Sequence, residues 1–415
     1  MSNQNNNIHE GFKMTEIGLL PDEWAVVSLR KVATVNKVAI DPQIYPNESF
    51  EYYSIPAYQV SSSPILENGH NIHSQKLIVN AGTVLFGKLN PRVPKVWLVE
   101  STSNMRKLAS TEFIPLVPME NLIVSGFLYY LAWSSYVMPK AQELVSGSTP
   151  SRQRVDTTAF GKIIIPLPLL PEQKAIAGVL STIQKAIETQ DKIIAAAREL
   201  KKSLMRHLFT YGPVPVSEAE RVPLKETEIG PVPEHWEVKQ LVNAATLQRG
   251  KDLPKQNQVP GKYPIVGSSG IIGYHNQFVC TGPGVVTGRS GSIGNFTYIE
   301  EDYWPHNTGL YVKDFHGNNP KFIYYLFHSV DFHKYATGVS VPTLNRNFVH
   351  SALVAIPPIV EQQEIARMLS SVDKKIEIEE NRKVALQALF KTMLHHLMTG
   401  KVRVKDMEAI HELTQ

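Results

Sequence analysis

The sequence predicts two similar globular domains of mixed α/β (α+β) class, joined by two long helices that pair with each other. Three observations carry that prediction. Two framing phrases each occur twice, two stretches of about forty residues share a helical apolar stripe, and the bodies between them are runs of short strand-like segments.

The first phrase is IPLPLLPEQ from Ile165, answered by AIPPIVEQQ from Ala355, with Glu172-Gln173 and Glu361-Gln362 separated by 189 residues. The second is TEIGLLPDEW from Thr15, answered by TEIGPVPEHW from Thr227 at an offset of 212. The second body is therefore 23 residues shorter. The framing phrases keep their register while the bodies diverge, so frame and body serve different tasks.

After each Glu-Gln the apolar positions recur at helical spacing. Ile176, Val179, Leu180, Ile183, Ile187, Ile193, Ile194, Ala197, Leu200, Leu204 and Leu208 form one stripe, and Ile365, Met368, Leu369, Val372, Ile376, Leu386, Leu389, Phe390, Met393 and Leu397 the other. Pro168 and Pro171, or Pro357 and Pro358, end the preceding strand and place the helix start. A helix of this length spans roughly 60 Å, more than one ordinary domain covers. Two matching stripes therefore predict a coiled coil between the halves, antiparallel or otherwise paired. Gln190 interrupts one stripe and Glu379 and Arg382 the other, either as a register or hinge device or as a solvated bulge.

The bodies read as short strands between Gly, Asn and Ser turns, for example GTVLFGKL and GVVTGRSGSIGNFTYIE, each closing with a helical stretch: SGFLYYLAWSSYVMPKAQEL and PKFIYYLFHSVDFHKYA. Residues 213–226 hold three prolines and read as the linker.

Composition excludes several classes. In 415 residues, 43% hydrophobic and 19% charged content is that of a folded globular protein. No apolar run approaches the roughly 18 residues of a spanning helix, and the polar start MSNQNNNIHEG lacks a signal-peptide core, so a cytoplasmic location is expected. The single Cys280 excludes an internal disulfide or Cys-cluster zinc site and reads as a buried small apolar side chain. Net charge is +4, with no basic tail in any segment.

No catalytic constellation emerges. GPGVVTGRSGSIG misses the dinucleotide glycine spacing, and no Gly-Lys-Ser/Thr follows. Asn319-Pro-Lys-Phe322 comes near an amino-methyltransferase motif, but Lys321 replaces its second proline, and it reads as a loop. His70 with His73, or His395 with His396, lack a third ligand, so no metal is expected. Glu172 and Glu361 sit at helix starts, where a carboxylate complements the dipole, so with Gln173 and Gln362 they read as structural frame.

Cations and amides in turns remain, the types that reach phosphates and base edges. In the first body these are Lys88, Asn90, Arg92, Lys95, Ser151, Arg152, Gln153 and Arg154. In the second they are Arg249, Lys251, Lys255, Arg289, Ser290, Asn295, Thr343, Asn345, Arg346 and Asn347. The runs after Pro150 and Pro342 precede the same framing phrase, so Arg152 and Arg346 read as equivalent.

Over essentially the whole chain these residues resemble the specificity subunit of type I restriction-modification systems. The supporting phrases are TEIGLLPDEW and TEIGPVPEHW, VLFGKLNPRVPKVWLVE, YPIVGSSGIIG, TGRSGSIG, STPSRQRV, and the IPLPLLPEQ/IPPIVEQQEIA pair with its long helices. The resemblance implies a non-catalytic chain with target-recognition domains over 1–168 and 227–357, each reading half of a bipartite double-stranded DNA site. It implies spacer helices over 169–212 and 358–400 packed as an antiparallel coiled coil, a linker over 213–226 and a tail over 401–415. Two modification subunits carrying S-adenosylmethionine would methylate adenine N6, and motor-nuclease restriction subunits using ATP and Mg would cut. No cofactor is expected on this chain. The alternative is a coiled-coil scaffold with two α/β protein-binding modules; an autonomous methyltransferase or nuclease would need the missing motifs.

Overall fold

The turn-punctuated apolar runs do form short strands, and these assemble into two compact units. The computed structural model describes residues 11–100, 103–338 and 342–404. One unit takes the chain up to Thr189 together with residues from Lys383 onward; the other takes Gln190–Arg382. Of the tail expected over 401–415, residues 405–415 lie outside the described part, as do 1–10 at the other end.

In the first unit, β1 (Ala33–Val35), β2 (Val84–Gly87), β3 (Val96–Leu98) and β4 (Phe113–Pro118) form an antiparallel sheet in the order β3-β2-β4-β1. Alternation with period two sends Val84, Phe86, Ile114 and Leu116 into one core, and Leu85 and Phe113 into another beneath Trp97. Both faces are covered, which is why these strands read as continuous apolar runs. The second unit repeats the plan with β5 (Thr246–Arg249), β6 (Gly284–Gly288), β7 (Phe296–Ile299) and β8 (Gly309–Asp314), ordered β7-β6-β8-β5. Here Val285, Leu310 and Val312 face one core, and Val286 and Tyr311 the other.

A second sheet explains the difference in length. In the first unit Ser49–Tyr53 pairs antiparallel with Ile65–Asn68 and parallel with Lys107–Ala109; in the second, Tyr263–Gly267 pairs antiparallel with Gly270–His275 and parallel with Trp304–Pro305. The first unit adds the strand Lys76–Val79 and, between its hairpin strands, the helix Ile55–Val60, capped by Ser54. The second unit turns the same corner in two residues, Ser268 and Ser269, with Gly270 at a φ of +105° that only glycine adopts readily.

Each body is closed by pairing its first strand with its last: Ala25–Ser28 with Ile164–Leu167, and Glu237–Gln240 with Leu353–Ile356. The helical stretch expected over Ser125–Leu144 is two helices, Ser125–Trp133 and Met138–Glu143. The Ser134 hydroxyl donates to Leu131 O, and the Tyr136 N–H donates to that hydroxyl, which turns the chain before Pro139 starts the next helix. Its counterpart runs Pro320–Ser329 and then tightens to a 3-10 turn at Phe332–Tyr335. The stretch expected as a linker is ordered locally, with a 3-10 helix at Val216–Arg221 and a strand at Leu224–Lys225.

The long helices run Leu170–Tyr211 and Ile359–Met398. In the first unit Ile176 and Leu180 share a core with Leu397 and Met398, and Phe390 stands edge-on to Tyr130 at 6.0 Å. In the second unit Gln190 meets Glu379 and Lys201 meets Asp373 at 2.6 Å, so numbering rises along one helix as it falls along the other and the pair is antiparallel. Gln190 and Glu379 are not a solvated bulge. Both are buried, and the Gln190 amide donates to Glu379 Oε2 at 2.7 Å. Part of each expected stripe faces solvent instead: Ile193, Leu200 and Leu389 are exposed. A two-helix seam with a body on one side reaches only some of the apolar positions that a 3.6-residue period brings round.

Candidate nucleic-acid interface

The doubled phrases touch each other. The Trp24 indole N–H donates to Glu172 Oε2 at 2.8 Å, and Trp236 donates to Glu361 Oε2 at 2.9 Å. Both rings are buried, so each carboxylate satisfies a donor that would otherwise be stranded. Both glutamates stand in the first turn of their helices, as expected, and the indole bond adds a second structural task to that position. Gln173, fully buried, donates to Leu122 O and Pro168 O and accepts from the Val124 N–H, all at 2.9 Å. Gln362 does the same with Pro357 O, Asn318 Oδ1 and the Asn319 N–H. Arg403 adds bonds to Glu172 and Glu23 in the first unit, and His235 Nε2 lies 2.7 Å from Glu361 in the second. The frame is occupied with holding each body to its helix.

The turn residues form a surface of their own. In the first unit β2 ends at Gly87, where a Cβ would lie 2.9 Å from the Lys95 Cβ. The Lys88 N–H then donates to Glu112 O at 2.9 Å, and Lys88 O accepts from the Val155 N–H at 3.0 Å. The Asn90 N–H donates to Gln153 O at 2.8 Å, with Asn90 itself at a φ of +49°. These bonds place Lys88, Asn90 and Gln153 side by side, with Arg92, Ser151 and Arg152 exposed nearby in sequence. Asp156 follows as cap of the short helix Thr157–Phe160.

Two candidates are corrected. Lys95 is buried, and its ammonium donates to Val93 O at 2.7 Å and Leu89 O at 3.3 Å. Burial pushes its pKa down from the usual lysine value, and its ammonium is engaged by main-chain carbonyls. Arg154 is exposed but grips Glu112 bidentately, Nε to Oε2 at 3.0 Å and Nη2 to Oε1 at 2.9 Å, so its charge is half spent.

The second unit repeats the backbone pattern. A Cβ on Gly288 at the end of β6 would lie 2.1 Å from Ser292 O. The Arg289 N–H donates to Thr308 O at 3.1 Å, Arg289 O accepts from the Leu344 N–H at 2.7 Å, and Ser290 bridges Thr343. Asn345 caps the helix Arg346–His350, its Oδ1 accepting from the Asn347 N–H at 3.0 Å. Arg249, Arg289 and Arg346 line one cleft of about 470 Å³ with Thr343 and Asn345. Lys251 is exposed, its backbone bridged to His306, and Asn347 is exposed on the first turn after its cap.

These bonds change one equivalence. Val155 matches Leu344 and Asp156 matches Asn345, so Arg346 matches Thr157, while Arg152 lies before the paired strand in a 3-10 turn. Arg152 and Arg346 are therefore not counterparts; Lys88 and Arg289 are. Sequence reasoning also passed over Glu112 and Thr308, which occupy one position in the two units. The usable signal was their place just before β4 and β8, a match that the divergent lengths concealed.

Other motifs resolve simply. Asn319 is the cap of a ten-residue helix rather than a loop residue, and Lys321 Nζ stands 3.8 Å from the centre of the Tyr298 ring. Cys280 is half-buried beside Tyr303 and Tyr311, and burial raises its thiol pKa. Among the described residues no group of His, Cys, Asp or Glu could hold a metal, and no helix is long and apolar enough to cross a membrane.

Comparison with known proteins agrees with this architecture. Residues 21–198 and 233–388 each match the type I restriction modification DNA specificity domain. The type I restriction enzyme MjaVIII specificity subunit of Methanocaldococcus jannaschii is 26% identical over 428 residues, covering 96% of this chain and 97% of that one. A specificity subunit assigned to restriction enzyme MjaX in the same organism is 26% identical over 423 residues, 95% of this chain and 97% of its own length. Among solved structures, the S subunit of a type I restriction-modification system from M. genitalium superposes with a TM-score of 0.59 at 16% identity, over 96% of this chain and 98% of that one. A chain from a structure of assembly and conformational transition in a type I R-M system gives 0.54 at 17%, over 92% and 99%. With two copies of the specificity domain and whole-length relatives of this kind, the chain belongs to the type I restriction-modification specificity subunits, the non-catalytic, DNA-recognising component of such systems.

Proposed function

We propose that the chain reads a bipartite double-stranded DNA site, one half per unit, and directs partner subunits to methylate adenine N6 there and to cut unmethylated DNA. One observation carries this reading. Two bodies of divergent sequence present cations and amides at the same backbone position, after a strand-ending glycine and against the strand before a capped short helix. Guanidinium and ammonium groups reach phosphates, and Asn, Gln and Arg reach base edges. The contact set is Lys88, Asn90, Arg92, Ser151, Arg152 and Gln153 for one half-site, with Arg154 partly committed to Glu112. For the other it is Arg249, Lys251, Arg289, Ser290, Thr343, Asn345, Arg346 and Asn347. S-adenosylmethionine, ATP and Mg belong to two modification subunits and the restriction subunits, which assemble on this chain in the cytoplasm.

The test is to co-express the chain with its modification subunit and read the methylated motif in the host genome. A bipartite motif is expected. Gln153→Ala should relax or weaken one half only and Asn347→Ala the other, since amides read base edges; absence of any bipartite motif sinks the reading. A scaffold with protein-binding modules is the second reading, favoured by exposed Ile271, Ile272 and Tyr274 on one hairpin. It predicts pull-down of protein partners without sequence-selective DNA binding.

A further inference from the structure

The two recognition surfaces differ in their electrostatics at one matched position. Glu112 and Thr308 each accept, through the backbone carbonyl, the N–H of the residue that follows the strand-ending glycine. In the first unit that position supplies a carboxylate, which holds Arg154 and lowers the local positive potential. In the second it is a neutral threonine, and the position matching Arg154 is Thr343. The second unit carries its cations elsewhere: Arg249, Arg289 and Arg346 face one cleft, and among the described residues lining it none is acidic. The nearby Asp252 is engaged by the Asn307 amide at 2.6 Å, while Arg249 Nε makes only a long bond of 3.4 Å to Asn307 O.

Three guanidinium groups around a concave site with hydroxyl and amide neighbours suit an anion with several oxygens, and a concave surface fits a protruding backbone better than a base edge in a groove. We propose that Arg249, Arg289 and Arg346 form a clamp for DNA backbone phosphate, so that the second unit anchors the duplex. The first unit, whose Arg154 is partly committed to Glu112, then contributes more discrimination than affinity. This rests on the DNA-reading function proposed above.

The test is fluorescence anisotropy of the complete chain with its modification subunits on a random-sequence duplex, between about 50 and 200 mM salt. Arg289→Gln and Arg346→Gln should each make the slope of log affinity against log salt shallower by about 0.9, the value for one lost phosphate contact. Arg346→Lys should keep the slope, which separates charge loss from misfolding. Glu112→Gln, by releasing Arg154, should steepen it. Unchanged slopes in both Gln variants overturn the clamp. If the methylated motif also changes at one base pair, the arginines read bases instead; if it does not, they are solvated surface charges. No binding of any duplex by the wild-type complex would instead overturn the underlying function.

Discussion

Replacing Gln173 by leucine removes a side-chain bridge while keeping its volume nearly constant. Gln173 is fully buried and makes three bonds of 2.9 Å to main-chain groups, two carbonyls and one N–H, where the first body meets its helix. Leucine leaves all three without their partner. A stranded buried polar group costs about 1–3 kcal/mol, so three give about 3–5 kcal/mol if the site relaxes for some of them. For a unit of this size each kcal/mol lowers Tm by about 2–4 °C, so the midpoint should fall by about 6–20 °C in a calorimetric melt. Gln173→Glu supplies an internal control. It keeps an acceptor for the Val124 N–H but sets a carboxylate oxygen against two carbonyls, which protonation relieves. That variant should be destabilised at neutral pH and partly recover on acidification, whereas the leucine variant should not. A leucine variant melting within about 2 °C of wild type would refute the view that this amide fastens body to helix.

Three further outcomes follow from the same geometry. Lys95→Met should leave the salt slope of DNA binding unchanged, while Arg92→Gln should make it shallower by about 0.9 if that exposed cation meets a phosphate; anisotropy titrations decide. His350 Nε2 accepts from the Leu247 N–H at 2.9 Å, and burial, with Arg346 nearby, holds its pKa below the usual 6.5. The neutral imidazole is the folded form. Its stability contribution is complete above pH 6.5 and is lost as pH falls through the lower folded pKa; melts across that range should show the loss, and His350→Gln should flatten it. Gln190→Leu should lower the melting temperature, because the buried Glu379 carboxylate keeps Lys375 but loses its amide donor. Gln190→Leu with Glu379→Leu should melt closer to wild type, and additive losses in this double-mutant cycle would refute their coupling.

The repeat, the helix boundaries and the mixed class were legible because they rest on local signals. Prolines stop strands at Pro168 and Pro357, the apolar period sets Leu170–Tyr211 and Ile359–Met398, and glycine turns punctuate the bodies. The roles of individual polar residues were much less so. Lys95 and Arg92 are three residues apart in one turn, yet one ammonium is enclosed by carbonyls and the other guanidinium is exposed. Nothing in residue type or spacing distinguishes them, because burial depends on how β2 and β3 close over the turn.

By itself the sequence determined that the chain is doubled, that each half is a body followed by a long amphipathic helix, and that no motif for catalysis is present. Tertiary structure alone decided which partners the doubled phrases find. Trp24 and Glu172 lie 148 residues apart and Trp236 and Glu361 lie 125 apart, so their bonds follow from strand pairing that brings the two ends of each body together. It also decided that Glu112 and Thr308 share one position, so that one unit has a carboxylate where the other has a neutral hydroxyl. Periodicity and turn chemistry act between near neighbours, whereas burial, pairing and electrostatics depend on contacts that exist only after the sheets have closed.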